Sequence, residues 1–338
     1  MKDGHKVVDI HNHFYTKTWL DYLTTRTEDP RFEWTGPTSG LLKGYGIVMG
    51  HSDKADDWDI DVRLKGITEV GVDIQLLTHT APSAEITGSK ELEWVKKIND
   101  ELAGYCQKYP DRFIFSASVP LGDIKEAPKE MQRATKELGA RGFQMYSNIT
   151  GDLLPSAEKF YPIYEVASEL GMVIQIHPAL VPLTADAMKK AGLPFQLYGF
   201  TMDTTIALTS MIFQGVFDKF PKLKIHHCHL GGMAPYMMGR VDNAYKRFKG
   251  EHVMKGDRLP SETYKEHVYL DTLSMFPPAI KLALEYMGPE HLMFGSDWPH
   301  RASGTVPGNM ETLDKVGLTK EQEAMIYGKN AMKVFNVK

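Results

Sequence analysis

Two histidines separated by one residue, His11 and His13, end the first apolar run of the chain. Residues two apart on a β-strand point to the same side, so both imidazoles can face one cavity. Imidazole is the commonest side-chain ligand of metal ions in proteins. The pair therefore indicates part of a chelating site, although a His-x-His sequence alone also occurs as an incidental feature of a strand end.

Three further residues that can bind a metal or move a proton end later apolar runs of the sequence. His177 ends the fifth run, His229 the sixth and Asp297 the eighth. If the runs are parallel strands of a barrel, their C-terminal ends meet at one face, where catalytic side chains come from several strands. Histidines that only fill a core would have no reason to share this position.

Short apolar runs alternate with amphipathic stretches along the chain, which is typical of alternating strands and helices. The stretches 92–109, 124–138 and 160–170 have apolar residues at helical spacing, and 320–335 is typical of a closing helix. The runs are 7–13, 73–79, 113–119, 142–147, 172–177, 224–230, 268–273 and 292–297. Because eight parallel strands close a barrel, the sequence predicts an α/β fold, a (β/α)8 TIM barrel forming a single domain over residues 1–338.

Two segments are longer than a connection between a strand and a helix requires. They are residues 14–64 after the first predicted strand and residues 179–205 after the fifth. Both follow strands, so in a barrel both lie over the mouth, where long connections serve as lids or binding loops. We expect 14–64 to be an inserted lid segment over the barrel mouth.

Three imidazoles and a carboxylate drawn from the residues at the strand ends suit a borderline divalent ion. Zn²⁺ is the first choice for such ligands, and Mn²⁺, Fe²⁺ and Co²⁺ remain open. The fourth predicted strand, 142–147, contains no lysine that could be carbamylated to bridge two metals. We therefore expect one ion, with water or a substrate oxygen completing its coordination.

The sixth apolar run contains three histidines, His226, His227 and His229. Alternation along a strand places His227 and His229 on one face and His226 on the other. We expect His229 nearest the mouth, His227 in the barrel interior below it, and His226 facing a helix.

Composition excludes several classes of partner. The net charge is −4 with Lys and Glu interspersed, so no basic stripe is available for a nucleic acid. No apolar run approaches the length of a membrane span, and the polar N-terminus has no secretory pattern. Cys106 and Cys228 are too few for a disulfide framework and fit a reducing compartment. We expect a cytoplasmic protein that acts on a small molecule.

Five segments of the chain together form a specific pattern: 9–13 with Asp-Ile-His-Asn-His, 61–73, 211–224, 229–240, and 295–299 with Gly-Ser-Asp-Trp-Pro. This pattern resembles the amidohydrolase superfamily. Within that superfamily it is similar to the branch containing 2-amino-3-carboxymuconate 6-semialdehyde decarboxylase and γ-resorcylate decarboxylase. The resemblance implies that the metal ligands are His11, His13, His177 and Asp297, and that His229 is the acid/base beside the metal.

The resemblance also implies residues that bind substrate. Arg63 and Arg240 are expected to anchor a carboxylate, and Arg240 is expected to reach the site of a neighbouring subunit, which implies a homodimer. An exposed ion pair is the commoner role for an arginine considered alone. His300 stands where the branch has an apolar aromatic residue, so it is a further substrate-binding candidate and leaves the substrate's identity open.

The metal ligands alone do not separate hydrolysis from non-oxidative decarboxylation, because both reactions need stabilisation of developing negative charge. Two arginines favour an anionic substrate, since guanidinium pairs bidentately with carboxylate. With the branch resemblance, this favours a metal-dependent decarboxylase (a carboxy-lyase) acting on a small aromatic or unsaturated carboxylic acid of hydroxybenzoate or muconate type. Either His229 or Asp297 is expected to deliver the proton to carbon.

Three other functions stay open from the sequence. One is a hydrolase, lactonase or hydratase of the same superfamily, because one fold hosts many chemistries. Another is an iron-dependent oxygenase, if His51, His79 or His300 supplied a further ligand. The last is a binding protein without catalysis, which the intact set of ligand residues disfavours.

Overall fold

The structure is a computed structural model, and it describes residues 2, 4–79, 81–149, 153–249, 255–300 and 304–337. The described residues form eleven strands: β1 Val8–Asp9, β2 Arg31–Gly36, β3 Ser39–Gly44, β4 Ile47–Ser52, β5 Ile74–Thr78, β6 Phe113–Ser118, β7 Gly142–Tyr146, β8 Val173–His177, β9 Lys224–His227, β10 Val268–Asp271 and β11 Leu292–Met293. Eight of them form one parallel sheet in the order β1-β5-β6-β7-β8-β9-β10-β11. The predicted (β/α)8 barrel is confirmed.

Backbone hydrogen bonds join the first and last strands of the sheet. Ile10 N donates to Phe294 O at 3.0 Å, Asp297 N donates to His11 O at 2.7 Å, and His13 N donates to Trp298 O at 2.6 Å. These bonds lie just beyond β1 and β11, so the segments that carry the predicted ligands also close the barrel. Every barrel strand lies within a predicted run, but β1 and β11 end at Asp9 and Met293, before the predicted ligands that those runs contain.

The helices around the barrel are α1 Lys17–Thr25, α2 Ile60–Glu69, α3 Glu91–Lys108, α4 Ala127–Lys136, α5 Tyr161–Leu170, α6 Ala185–Lys190, α7 Phe195–Phe213, α8 Val216–Lys219, the single turn α9 Cys228–Gly231, α10 Ala234–Phe248, α11 Pro260–His267, α12 Pro277–Met287, α13 Val306–Asp314, α14 Lys320–Ala324 and α15 Asn330–Val334. Helix α3 buries Val95, Ile98 and Leu102 at the spacing used to predict it. No helix of the described chain combines the length and apolarity needed to cross a lipid bilayer.

The closing helix expected over 320–335 is interrupted. A π-helical turn, Met325–Lys329, separates α14 from α15. A Cβ atom at Gly328 would lie 2.3 Å from the Lys6 carbonyl oxygen, so only glycine lets this turn approach the chain before β1. The π-helical turn therefore allows the C-terminal helical segment to pack closely against the chain at the bottom of the barrel.

The segment 14–64 forms its own small structure rather than a loop. It contains α1, the antiparallel sheet β2-β3-β4 and a 3-10 turn Ala55–Asp57. The inner face of the sheet carries Phe32, Leu42 and Met49, which are all buried. The second long segment, 179–205, contains α6 and the first half of α7.

Arg63, on α2, connects the inserted segment to the barrel. Its guanidinium donates to the Asp56 carbonyl at 2.6 Å, to the His13 carbonyl at 2.7 Å and to Gln75 Oε1 at 3.3 Å. The side chain is fully buried, and burial lowers its pKa to about 10, against the opposing effect of the Asp57 carboxylate. The turn containing Asp56, the backbone at His13 and strand β5, which carries Gln75, are therefore all held by the Arg63 side chain.

We predict that Arg63→Met lowers the free energy of unfolding by about 3–5 kcal/mol, because it leaves buried acceptors and a nearby carboxylate without their cation. Urea unfolding followed by circular dichroism measures the change. Arg141→Met is the control, since the Arg141 side chain is partly exposed and makes no hydrogen bond to the described residues. A loss below about 1 kcal/mol for Arg63→Met would contradict this structural role.

Candidate active site

Four of the side chains singled out from the sequence meet at the C-terminal end of the barrel. Each of His11, His177, His229 and Asp297 offers one ligand atom, and these atoms lie within 4.8 Å of one another. The His11 ring centroid lies 5.4 Å from that of His177 and 4.8 Å from that of His229. Strands far apart in sequence therefore bring their donors to one point.

His13 lies on the other side of Asp297, beside His300. The His13 Nε2 atom is 2.9 Å from Asp297 Oδ1, and its ring centroid is 4.6 Å from that of His177 and 4.7 Å from that of His300. His13, Asp297 and His300 form a second close group of potential ligands. The structure thus brings together all four expected ligands, with His229 and His300 beside them.

Hydrogen bonds fix which nitrogen of two imidazoles faces the cluster. His177 Nδ1 donates to the Pro178 carbonyl at 2.9 Å, which leaves Nε2 with its lone pair toward the site. His11 Nδ1 lies 2.7 Å from Asp271 Oδ2, and its Nε2 is 3.5 Å from Asp297 Oδ1. A partner on the far nitrogen is the usual device that orients a metal-binding histidine.

The sequence reasoning missed Asp271, which ends β10 and is fully buried. Its Oδ2 atom accepts from His11 Nδ1, from His226 Nε2 at 3.3 Å and from the His229 amide at 2.8 Å. Its Oδ1 atom accepts from the Leu230 and Leu273 amides. The sequence could have indicated Asp271 by its position at the end of the seventh barrel strand, because the other functional side chains also lie at strand ends.

Three residues of the site adopt the left-handed backbone region. His229, Leu230 and Asp297 have φ angles of 59°, 53° and 58°. Non-glycine residues avoid this region unless surrounding contacts hold them there, and such residues cluster at functional sites. The backbone amides of His229 and Leu230 both donate to the Asp271 carboxylate, and these two hydrogen bonds hold the left-handed turn.

The turn at His229 also reverses the expected orientations of its neighbours. Strand β9 ends at His227, so alternation does not continue to His229. His226 points into the barrel, where it contacts Gln175 and Asp271, whereas the His227 ring faces Tyr264 of α11 with Nδ1 2.8 Å from the hydroxyl. The expectation that His227 is interior and His226 faces a helix was therefore wrong.

The electrostatics of the cluster favour neutral His13 and His177 imidazoles beside an ionised Asp297 carboxylate. Burial would lower the pKa of His11, but the Asp271 carboxylate raises it above its usual value. Burial lowers the pKa of His13 to about 3, and burial together with the His13 and His11 imidazoles holds the pKa of His177 well below its usual value. Burial would raise the pKa of Asp297, but the adjacent His13 and His229 imidazoles hold it well below its usual range. For His13, His177 and Asp297 these are the protonation states that metal binding requires.

A buried acid below the cluster joins the first strand to the last. Asp9 accepts from the Ser296 amide at 3.0 Å, from the Ser296 hydroxyl at 2.7 Å and from Gln75 Nε2 at 2.8 Å. Burial raises the pKa of Asp9 to about 6, which these hydrogen bonds partly oppose. The bonds hold the segments carrying His11 and Asp297 in register.

The cluster opens into a cavity of about 610 Å³. His13, His177, His229, Asp297 and His300 line one part of it, and side chains of both inserted segments line the rest. The expectation that these segments cover the mouth agrees with this arrangement. A cavity of this size can enclose a small organic substrate together with the ligand cluster.

The remaining sequence-derived candidates differ in their positions. Arg63 does not line the cavity, because its guanidinium is occupied inside the protein. Arg240, on α10, is exposed and also lies outside the cavity lining. His51 lines the mouth, whereas His79 is buried beside Trp19, with ring centroids 5.6 Å apart.

The donor set fits one divalent ion of the zinc or manganese type. Nitrogen and carboxylate ligands suit both metals. His11 Nε2 is buried and has no hydrogen-bond partner among the described residues, as expected of an atom placed to bind a metal. The residues present therefore fit a divalent metal ion, as expected from the sequence.

Comparison with known proteins gives the family. The amidohydrolase family model matches residues 8–337. The chain is 31% identical over 336 residues to 2-amino-3-carboxymuconate-6-semialdehyde decarboxylase of Dictyostelium discoideum, covering 96% of this chain and 90% of that protein. It is 27% identical over 287 residues to γ-resorcylate decarboxylase of Rhodococcus jostii, covering 79% of this chain and 87% of that protein.

A solved structure has the same fold. The dihydroxybenzoic acid decarboxylase of Polaromonas, solved with bound manganese and the inhibitor 2-nitroresorcinol, matches with a TM-score of 0.80 at 23% identity, covering 98% of this chain and 97% of that one. The chain therefore belongs to the amidohydrolase family, in the branch that contains 2-amino-3-carboxymuconate-6-semialdehyde decarboxylase and γ-resorcylate decarboxylase.

Proposed function

We propose that the protein is a non-oxidative decarboxylase of a small aromatic or unsaturated carboxylic acid, dependent on one divalent metal ion. The observation that carries this proposal is the cluster of His11, His13, His177 and Asp297 at the end of a cavity, beside His229. Relatives along the whole chain are named as decarboxylases of such acids. We propose a single domain, because β1 and β11, the first and last strands of the described residues, belong to the same eight-stranded sheet.

The proposed metal ligands are His11, His13, His177 and Asp297. A divalent ion held there supplies a positive charge that orients an anionic substrate and stabilises negative charge developing on its oxygens. We propose Zn²⁺ for this imidazole-rich set, with Mn²⁺ as the alternative, since a structural relative binds manganese. Cys106 and Cys228 are free thiols, which fits the proposed cytoplasmic location.

The reaction requires a proton at the carbon that loses CO₂. His229 lines the cavity, and its Nε2 atom lies 3.8 Å from Asp297 Oδ2. We assign proton delivery to His229, because Asp297 Oδ1 is already 2.9 Å from His13 Nε2. The proton adds to the ring or alkene carbon, the carbon–carboxylate bond breaks, and its electron pair restores the unsaturated system as CO₂ leaves.

Substrate binding is proposed for His300, which lines the cavity beside His13. Arg63 is proposed to act indirectly, by holding the chain at His13. Lys54 is the one lysine or arginine among the described residues that line the cavity, so a second cation for an anionic substrate must come from elsewhere. This favours the expected role of Arg240 in a partner subunit's site.

An exposed apolar surface lies beside Arg240 and is suited to a homodimer. On α7, Tyr198 is 56% exposed and Ile206 is 40% exposed, and on α10 Tyr236 is 78% exposed. The two helices are joined where the Met233 amide donates to Thr205 Oγ1 at 2.9 Å. Large exposed apolar side chains on two adjoining helices are a feature of interaction surfaces.

The first test of the function is release of CO₂ from a panel of hydroxybenzoic and muconic acids, run beside lactones and amides. We expect CO₂ release from at least one acid, close to one bound ion per chain, and loss of activity on chelation that the added metal reverses. Metal analysis and a coupled CO₂ assay measure these outcomes. Hydrolysis of a lactone or amide without any CO₂ release would contradict the proposal.

A second prediction concerns the proton donor. His229→Asn should lower kcat by about 10²- to 10⁴-fold, the usual contribution of a general acid, while the bound metal stays near one ion per chain. His227→Asn is the matched control, since its ring faces Tyr264 outside the cavity, and its kcat should change less than fivefold or so. Loss of metal in His229→Asn would instead make His229 a ligand, and unchanged turnover would refute the assignment.

A third prediction concerns the interface. Ile206→Glu should convert a dimer to a monomer, because it places a charge in the apolar surface, whereas Leu282→Glu on α12, similarly exposed, should leave the dimer intact. Arg240→Met should keep the dimer and lower kcat/KM roughly 10- to 100-fold through loss of a charge-assisted bond. Light scattering and steady-state kinetics check both. A monomeric wild-type protein, or unchanged kinetics in Arg240→Met, contradicts the proposal.

A further inference from the structure

The cavity is larger than a one-ring acid needs. Its volume of about 610 Å³ lies within the range of about 300–1,000 Å³ that encloses ligands of drug size. The metal-ligand cluster occupies only one part of the lining. The part formed by the inserted segments is therefore available for another portion of the substrate.

Five apolar side chains line this second part of the cavity, beside polar residues such as His51 and Lys54. Phe32, Leu42 and Met49 come from the inner face of the inserted sheet, and Leu180 and Phe200 come from the second long segment. We call these five residues the apolar wall. Burying apolar surface of a ligand against such a wall is favourable in proportion to the area removed from water.

Two packed connections join the apolar wall to the metal-ligand cluster. Tyr15 follows His13 by two residues, and its ring centroid lies 6.1 Å from that of Phe32. Leu180 follows His177 by three residues. A Cβ atom at Gly44 would lie 3.4 Å from Leu180 and 3.2 Å from Met49, so the absent side chain lets the two inserted segments meet. Wall and ligands are thus parts of one continuous cavity.

The apolar wall is held rigidly by the sheet. Phe32 pairs with Leu42 across β2 and β3, and its ring covers Gly40, where an added Cβ would lie 2.2 Å away. The Phe32 ring also packs against Trp34 with centroids 5.1 Å apart. A surface that is already ordered loses little conformational freedom on binding, so it favours ligands that match it.

We propose that the apolar wall binds an apolar substituent of the substrate, so that the protein prefers aromatic acids carrying an alkyl chain or a second ring over unsubstituted ones. This rests on the proposed decarboxylase function, since it places the carboxylate at the metal-ligand cluster. The inserted segments then determine the substrate, while the barrel strands perform the reaction.

The test uses 2-hydroxybenzoic acids with methyl, propyl or pentyl groups at ring position 4 or 6. In one of the two series, kcat/KM for CO₂ release should rise about fourfold for each methylene group that the wall buries. The same alkyl series of 2-nitrophenols, in which nitro replaces carboxylate and no CO₂ can be lost, is measured by calorimetry. Their dissociation constants should fall by a similar factor per methylene.

Substitutions on one strand give matched variants. Met49→Trp fills the cavity, so the pentyl-to-methyl ratio of kcat/KM should fall at least tenfold, whereas Met49→Ala should move the optimum to a longer chain. Val48→Trp is the control, because Val48 is 41% exposed on the opposite face of β4, and its ratio should match the wild-type one. The two Met49 variants should change the preferred chain length in opposite directions, which misfolding would not do.

Each outcome separates this inference from the proposed function. CO₂ release that is independent of chain length, or a ratio unchanged in both Met49 variants, overturns the inference while the decarboxylase function stands. Tighter binding of longer nitrophenols without CO₂ release from any acid supports the apolar wall and refutes the decarboxylase.

Discussion

The carboxylate of Asp271 is the constraint on which the geometry of the site depends. Its two oxygens accept from two imidazoles and three backbone amides, so one side chain orients His11, holds the left-handed turn at His229 and fixes His226. Burial would raise its pKa, but the His11 and His226 imidazoles hold the pKa well below its usual range. Displacing an ionised carboxylate that accepts several hydrogen bonds in a dry interior costs much free energy. The residues that Asp271 contacts, His11 and His229, are therefore held in fixed positions.

The strand ends were predictable from the sequence because the closed parallel sheet imposes one rule on all eight of them. A residue such as His177, which ends β8, or Asp297, which closely follows β11, reaches the mouth through this position alone. The helices were equally accessible, since helix α3 shows its buried face as a regular spacing of Val95, Ile98 and Leu102. These features depend on local periodicity and on topology, which a sequence records directly.

Features that depend on tertiary partners were not accessible in the same way. Alternation misplaced His226 and His227, because left-handed residues end the strand before His229. Arg63 was expected at the substrate, but a sequence does not show that carbonyl acceptors enclose its guanidinium. Asp271 escaped notice because its importance lies in hydrogen bonds, four of which come from residues distant in sequence. The inserted sheet β2-β3-β4 lies within one long segment after the first predicted strand, and that segment was expected only as a lid.

The division between barrel and insertions has a physical reason. Metal ligands must keep their positions within a fraction of an ångström, and strands joined on both sides by backbone bonds provide that precision. A substituent-binding wall needs only shape and apolar surface, which an inserted sheet can change without moving β1 or β11. Arg63 links the inserted segment to the metal-ligand site, because its guanidinium donates to the carbonyls of both Asp56 and His13. A change in the inserted sheet that displaced Asp56 would therefore reach the metal ligands through this one side chain.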